Sequence, residues 1–148
     1  MTDLPVGIEM TRVFDAPREA VWKEWTEPEP FADWFGGTES EVPLSSVSMD
    51  VRPGGRWRLT MFAGPERHEI RWHGEYHVVD EPERLVLTFC DQPDARRYEL
   101  VTVLLIDLGD GRTEMRFTQR GRMAPEEYER AGAGWSGFFA RMAERLAG

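Results

Sequence analysis

The sequence predicts an α+β domain in which a strongly curved antiparallel sheet wraps around one long C-terminal helix. Three observations predict it. Apolar residues alternate with a period of two through most of residues 44–121, the connections between these runs are short, and residues 125–147 return to helical spacing. Neighbouring strands with short connections are antiparallel, because parallel neighbours need a crossover of a dozen or more residues. A sheet with an apolar inner face must be covered, and the last helix is the only element large enough to cover it.

The elements follow in order. "VGIEMTRVF" (6–14) alternates and reads as a strand. "APREAVWKEW" reads as a helix, with Pro17 at its first position, Glu19 in the positive first turn, and Val21, Trp22 and Trp25 as its apolar stripe. "EPEPFADWF" gives a second short helix with Phe31, Trp34 and Phe35 on one side, ended by Gly36 and Gly37. Val47, Met49 and Val51 alternate, the turn "RPGG" (52–55) follows, and Trp57, Leu59 and Met61 alternate next, which is a hairpin signal. In "HEIRWHGEYHVV" (68–79), Ile70, Trp72, Tyr76 and Val78 share one face and His73, Glu75 and His77 the other. "RLVLTFC", "YELVTVLLID" and "RTEMRFTQR" add three strands, the last two joined by "LGDG". Pro125 opens the final helix, where Tyr128, Ala131, Trp135, Phe139, Met142 and Leu146 form one stripe with Phe138 at its edge.

A chain of 148 residues fits a single domain, 1–148, able to bury a core without disulfides. Eighteen Lys and Arg stand against 27 Asp and Glu, a formal net charge of −9, which disfavours general binding to a phosphate backbone. The one cysteine, Cys90, excludes an internal disulfide framework and a multi-cysteine zinc site, and fits a reducing compartment. "MTDLPVGIEM" has no basic segment followed by an apolar run, and no apolar stretch reaches the ~20 residues that span a bilayer. These readings predict a cytoplasmic protein with no membrane and no nucleic-acid partner.

One stretch suggests a nucleotide. "GAGWSG" (132–137) has the spacing G-x-G-x-x-G and nearly that of a hydrolase nucleophile turn. A dinucleotide loop needs a strand before it, a helix opening from it and an acidic residue about 20 positions on. Here the glycines lie inside a helical pattern and no second strand can follow. The nucleophile reading fails because no strand precedes Ser136. No nucleotide or other cofactor is predicted. His73, Glu75 and His77 have the spacing of metal ligands, but flanking Glu69 and Arg71 fit a solvated outer face, and no metal site is predicted. The carboxylates are scattered and define no catalytic pair. Cys90 reads as a small buried hydrophobe.

The aromatic residues remain. Trp25, Phe31, Trp34, Phe35, Trp57, Trp72, Tyr76, Phe89, Phe117, Trp135 and Phe139 fall mostly on inward faces. Any one of them reads as core. Together, with Met49, Met61, Met115 and Met142 supplying adaptable surface, they also suit an apolar ligand cavity.

These residues resemble a known family. "TRVFDAPREAVWKEWTEPEPFADWFG", "DVRPGGRWRLTM", "HGEYHVVDEPERLVLTF", "GDGRTEMRFTQRG" and "GWSGFFARMAERL" resemble, in order and over nearly the whole chain, motifs of the activator of heat-shock protein 90 ATPase homologue-like family. That family belongs to the START-like, SRPBCC or helix-grip superfamily. The resemblance implies the helix-grip fold and a cavity between sheet and helix; superfamily members bind lipids, steroids or polyketides, and a few are enzymes. Glu81 stands where many members have a second proline, and Val78 where many have glutamate.

The expected function is therefore binding of a small hydrophobic or aromatic molecule between the sheet and the last helix, without covalent chemistry. The expected lining is Trp34, Trp57, Met61, Trp72, Tyr76, Phe89, Phe117, Trp135, Phe139 and Met142, with Tyr76 offering an orienting hydroxyl. No catalytic residue is assigned. Two other classes remain open: a cyclase- or dehydratase-like enzyme, for which Tyr76, His73 and Arg58 are the acid–base candidates, and an interaction module, a co-chaperone or a homodimer, which predicts an exposed apolar patch.

Overall fold

The computed structural model describes residues 7–93 and 98–147. The reading of the N-terminus as free of an export signal, and the first residue of the strand expected from Val6, lie outside the described residues. The order is β1 (Gly7–Phe14), α1 (Arg18–Thr26), α2 (Pro28–Trp34), β2 (Ser40–Glu41), a 3-10 turn (Leu44–Ser46), β3 (Ser48–Met49), β4 (Arg56–Ala63), β5 (His68–Asp80), β6 (Arg84–Phe89), β7 (Glu99–Asp107), β8 (Thr113–Arg120) and α3 (Pro125–Ala147). The strands form one curved sheet in the order β1-β8-β7-β6-β5-β4-β2, with β3 also paired to β4, and every pairing is antiparallel.

The alternation read from the sequence puts one side of each strand on α3. Paired residues share a face, and the register sets Ile8, Gln119, Val101, Leu87 and Tyr76 in one inward row across β1, β8, β7, β6 and β5. All five are buried. On β4, Trp57, Leu59 and Met61 are buried and oppose Gly74, Trp72 and Ile70 on β5. The stripe of α3 faces them, with Tyr128, Trp135, Phe139 and Met142 buried and Ala131, Phe138 and Leu146 packed at its edges.

Several expectations shift. Pro17 is the N-cap of α1, with extended backbone (ψ 160°), and Arg18 is the first helical residue. The strand expected over 47–51 shortens to two residues, because the 3-10 turn precedes it and a tight turn follows: Gly55 N–H donates to Arg52 C=O at 2.8 Å, with Pro53 second in the turn and Gly54 at φ 84°. β2 has no counterpart in the sequence reading; two residues leave no period to detect. On β5, Tyr76 pairs with Leu87 but Val78 pairs with Val86, so one extra residue sits between them. This bulge reverses the alternation. Val79, not Val78, packs against the core.

Charged groups tie the end of α3 to the short helices. Arg145 donates from Nε to Glu24 Oε1 at 2.8 Å and also pairs with Asp33, which Arg141 contacts at 3.2 Å. Glu24 is buried, and its backbone carbonyl accepts the Trp34 indole N–H at 2.7 Å. Burial acts to raise the Asp33 pKa, but the hydrogen bonds and charges of Arg145 and Arg141 outweigh it and hold the carboxyl below its ordinary range.

Candidate functional site

The interior between sheet and helix is an aromatic layer assembled from all three helices and four of the strands. Trp135 on α3 is its centre. Its ring lies 4.6 Å from that of Phe117 (β8), 5.5 Å from Phe89 (β6), 5.5 Å from Phe139 (α3), 6.1 Å from Trp25 (α1) and 6.5 Å from Trp34 (α2), centroid to centroid. Trp57 reaches Phe89 at 4.6 Å and Trp72 reaches it at 6.1 Å. Such spacings are those of favourable edge-to-face and offset pairs. All ten residues expected at the site, Trp34, Trp57, Met61, Trp72, Tyr76, Phe89, Phe117, Trp135, Phe139 and Met142, belong to this layer; Trp72 alone among them is half-buried. Where the sequence reading expected a space, these rings touch one another.

The layer reaches the surface along one rim. Half-buried Trp72 on β5 and Phe138 on α3 flank the turn after α2. Phe35 contacts Trp72 at 6.0 Å and Phe138 at 5.5 Å. Gly36 and Gly37 follow with φ of 98° and 68°, as the end of α2 requires. Gly134 is half-buried beside this rim, where a Cβ would lie 3.9 Å from Phe138; Gly137 is exposed.

Polar groups inside the layer fall into two sets. Three indoles donate to protein acceptors: Trp34 to Glu24 C=O, Trp57 to Thr88 C=O at 3.0 Å, and Trp135 to Gln119 Oε1 at 2.8 Å. Gln119 continues to Glu99, which also accepts from Tyr128 Oη at 2.7 Å and from the Arg122 backbone N–H at 3.1 Å. Burial, reinforced by the bond to Glu99, pushes the Tyr128 phenol up to about 12. The other set has no hydrogen-bond partner among the described residues: the indole nitrogens of Trp25 and Trp72 and the hydroxyl of Tyr76, all buried atoms. Burial, then the negative charge of Asp50, raises the Tyr76 pKa far above its ordinary value, so the phenol holds its proton.

The other acid–base candidates lie elsewhere. Arg58 pairs with His73 across β4 and β5 on the outer face, away from the aromatic layer. His73 Nε2 contacts Gln92 C=O at 2.6 Å, and Glu75 N–H donates to Thr88 Oγ1. Cys90 is buried and bridges His73 through the backbone. Two grooves of about 380 and 550 Å³ open on this outer side, the first lined by His68, Arg71, His73 and Gln92, the second by Arg52, Arg56, Arg58 and His73. Among the described residues, no three of His, Cys, Asp and Glu group as metal ligands. "GAGWSG" lies wholly within α3, as its helical pattern required.

Residues 15–147 match the family described as Activator of Hsp90 ATPase homolog 1-like protein. The chain belongs to this family. Solved structures share its helix-grip architecture. One from Chromobacterium violaceum is 23% identical, with TM-score 0.83 over 97% of this chain and 98% of its own. One from Nitrosomonas europaea is 22% identical, with TM-score 0.81 over 99% and 97%. An AHSA1 protein from Silicibacter pomeroyi is 21% identical, with TM-score 0.82 over 95% and 97%. No curated protein sequence matches the chain. No described helix is long and apolar enough to cross a membrane.

Glu99 and Gln119, the polar residues that anchor Trp135 and Tyr128, were not singled out in the sequence. Gln119 was within reach: the alternation that turns Met115 and Phe117 inward also turns Gln119 inward. The sequence carried no comparable mark for Glu99, whose partners lie 20 and 29 positions away.

Proposed function

We propose that this member of the family binds a small hydrophobic or aromatic molecule in the layer between the sheet and α3, and holds it without covalent chemistry. The observation that supports this reading is a continuous aromatic surface contributed by α1, α2, β4, β5, β6, β8 and α3 that reaches solvent at Trp72 and Phe138. A molecule entering between Trp72, Phe138 and the turn at Phe35–Gly37 would displace ring–ring contacts and replace them with its own. Burial of its apolar surface drives binding, at about 25 cal/mol per Å² before ordering costs. Carriage fits better than catalysis because two of the three acid–base candidates, Arg58 and His73, stand on the outer face.

The test is titration with the neutral fluorescent probe N-phenyl-1-naphthylamine. Trp72→Ala and Trp135→Phe are both expected to weaken probe binding about tenfold while far-ultraviolet circular dichroism stays unchanged. Trp72 sits at the rim, and Trp135→Phe keeps a ring in place, so both proteins fold. Equal affinity of the parent and both variants would remove the site from this interior.

A further inference from the structure

Resting on that reading, we infer that the molecule held in this interior is uncharged and presents hydrogen-bond acceptors, such as carbonyl or ether oxygens, toward Trp72, Tyr76 and Trp25. The inference comes from an imbalance in the buried polar atoms. Four buried side-chain atoms lack a partner among the described residues: Arg18 Nε, Trp25 Nε1, Trp72 Nε1 and Tyr76 Oη. All four can donate. Arg18 lies at the start of α1, where its guanidinium approaches Glu83 at 3.6 Å, outside the aromatic core. The other three belong to the layer. Trp25 and Tyr76 are 1% and 0% exposed, so neither side chain turns to solvent.

Unpaired indoles are not general in this protein. Trp34, Trp57 and Trp135 each meet a specific acceptor at 2.7–3.0 Å. An indole N–H can only donate, so Trp25 and Trp72 can be satisfied only by an acceptor. The Tyr76 hydroxyl can accept as well as donate, and no described residue supplies an acceptor for its proton. Leaving such a group buried and unpaired is unfavourable, and a ligand that supplies an acceptor recovers the loss.

Charge narrows the class further. A carboxylate is also an acceptor, but Asp50 already places negative charge near the Tyr76 hydroxyl. An anion buried without a cation is strongly disfavoured, and Arg141 and Arg145 of α3 are taken up by Asp33 and Glu24. A protonated amine would bring donors to donors. Geometry sets a scale: Trp72 and Tyr76 lie on one face of β5, four residues and roughly 13 Å apart along the strand. A molecule of two or three fused rings spans much of that distance.

The test compares fluorene with 9-fluorenone, which share a ring skeleton and differ by one carbonyl, each competing with bound N-phenyl-1-naphthylamine. Fluorenone is expected to bind about tenfold more tightly. Tyr76→Phe and Trp72→Phe remove one donor each while keeping a ring. In the double variant the preference should fall below threefold, with fluorene affinity changed less than that of fluorenone. A preference under threefold in the parent protein, as expected if buried water satisfies these donors, overturns the inference and leaves the binding reading intact. A preference that survives both the double variant and its combination with Trp25→Phe overturns it too. Failure of the probe and of both compounds to bind the parent overturns the binding reading itself.

Discussion

Gly74 shows how one residue shapes the interior. It opposes Trp57 across β4 and β5, and the Trp57 indole passes over it to reach Thr88 C=O. A Cβ at Gly74 would lie 1.7 Å from that oxygen and 2.4 Å from the indole nitrogen. A glycine inside a strand often marks such a close approach. Gly74→Ala should therefore destabilise the protein by about 3 kcal/mol, combining overpacking with loss of the Trp57–Thr88 hydrogen bond. Urea unfolding measures this, and a loss below about 0.5 kcal/mol would mean that both the indole and the backbone at Thr88 shift freely to make room. The sequence showed that Trp57 points inward, because alternation is local. It did not show what Gly74 accommodates, because Thr88 lies 31 positions from Trp57 and meets it only in the assembled sheet.

At the scale of elements, α3 carries a contradiction. It is the longest helix, it covers the sheet, and it contains Gly132, Gly134 and Gly137. None has a positive φ; a Cβ at Gly132 or Gly137 meets nothing within 4 Å, and one at Gly134 only touches Phe138. Packing therefore does not require them. Each substitution Gly132→Ala, Gly134→Ala and Gly137→Ala should stabilise the protein by roughly 0.5–1 kcal/mol, read from urea unfolding. If they instead let the helix flex to admit a molecule, the triple variant gains this stability and takes up N-phenyl-1-naphthylamine more slowly in stopped-flow mixing. No gain in stability would show that the helix departs from ideal geometry at these positions. The stripe of α3 was legible because Tyr128, Trp135, Phe139 and Met142 repeat at helical spacing. The reversal in β5 was not: a bulge changes which of Val78 and Val79 turns inward without altering composition, and only pairing with Val86 and Leu85 on β6 reveals it.

For the whole molecule, the order of strands and helices followed from changes of period and short connections, so the architecture was legible. Whether rings or space occupy the centre was not, because that depends on how Trp25, Phe89, Phe117 and Trp135 pack against one another across the chain. Nor was the electrostatic clasp that fixes α3 to α1 and α2: Asp33 lies 108 and 112 positions from Arg141 and Arg145, and Glu24 lies 121 from Arg145. The clasp gives stability a definite pH dependence. The Asp33 carboxyl ionises more readily in the folded protein than at its ordinary value of 3.8, so the unfolded chain binds the proton more tightly. Its contribution is fully present well above that value and disappears as the pH falls through the lower folded one. The pairs are partly exposed, so the contribution is modest and weakens with salt. The melting temperature of the parent should exceed that of Asp33→Asn by a constant margin above about pH 5. That margin should narrow below pH 3.8 and shrink in high salt. Melting curves of both proteins across this range decide the matter: a margin that persists unchanged in strong acid would mean that Asp33 acts through packing or neutral hydrogen bonds, not through its charge.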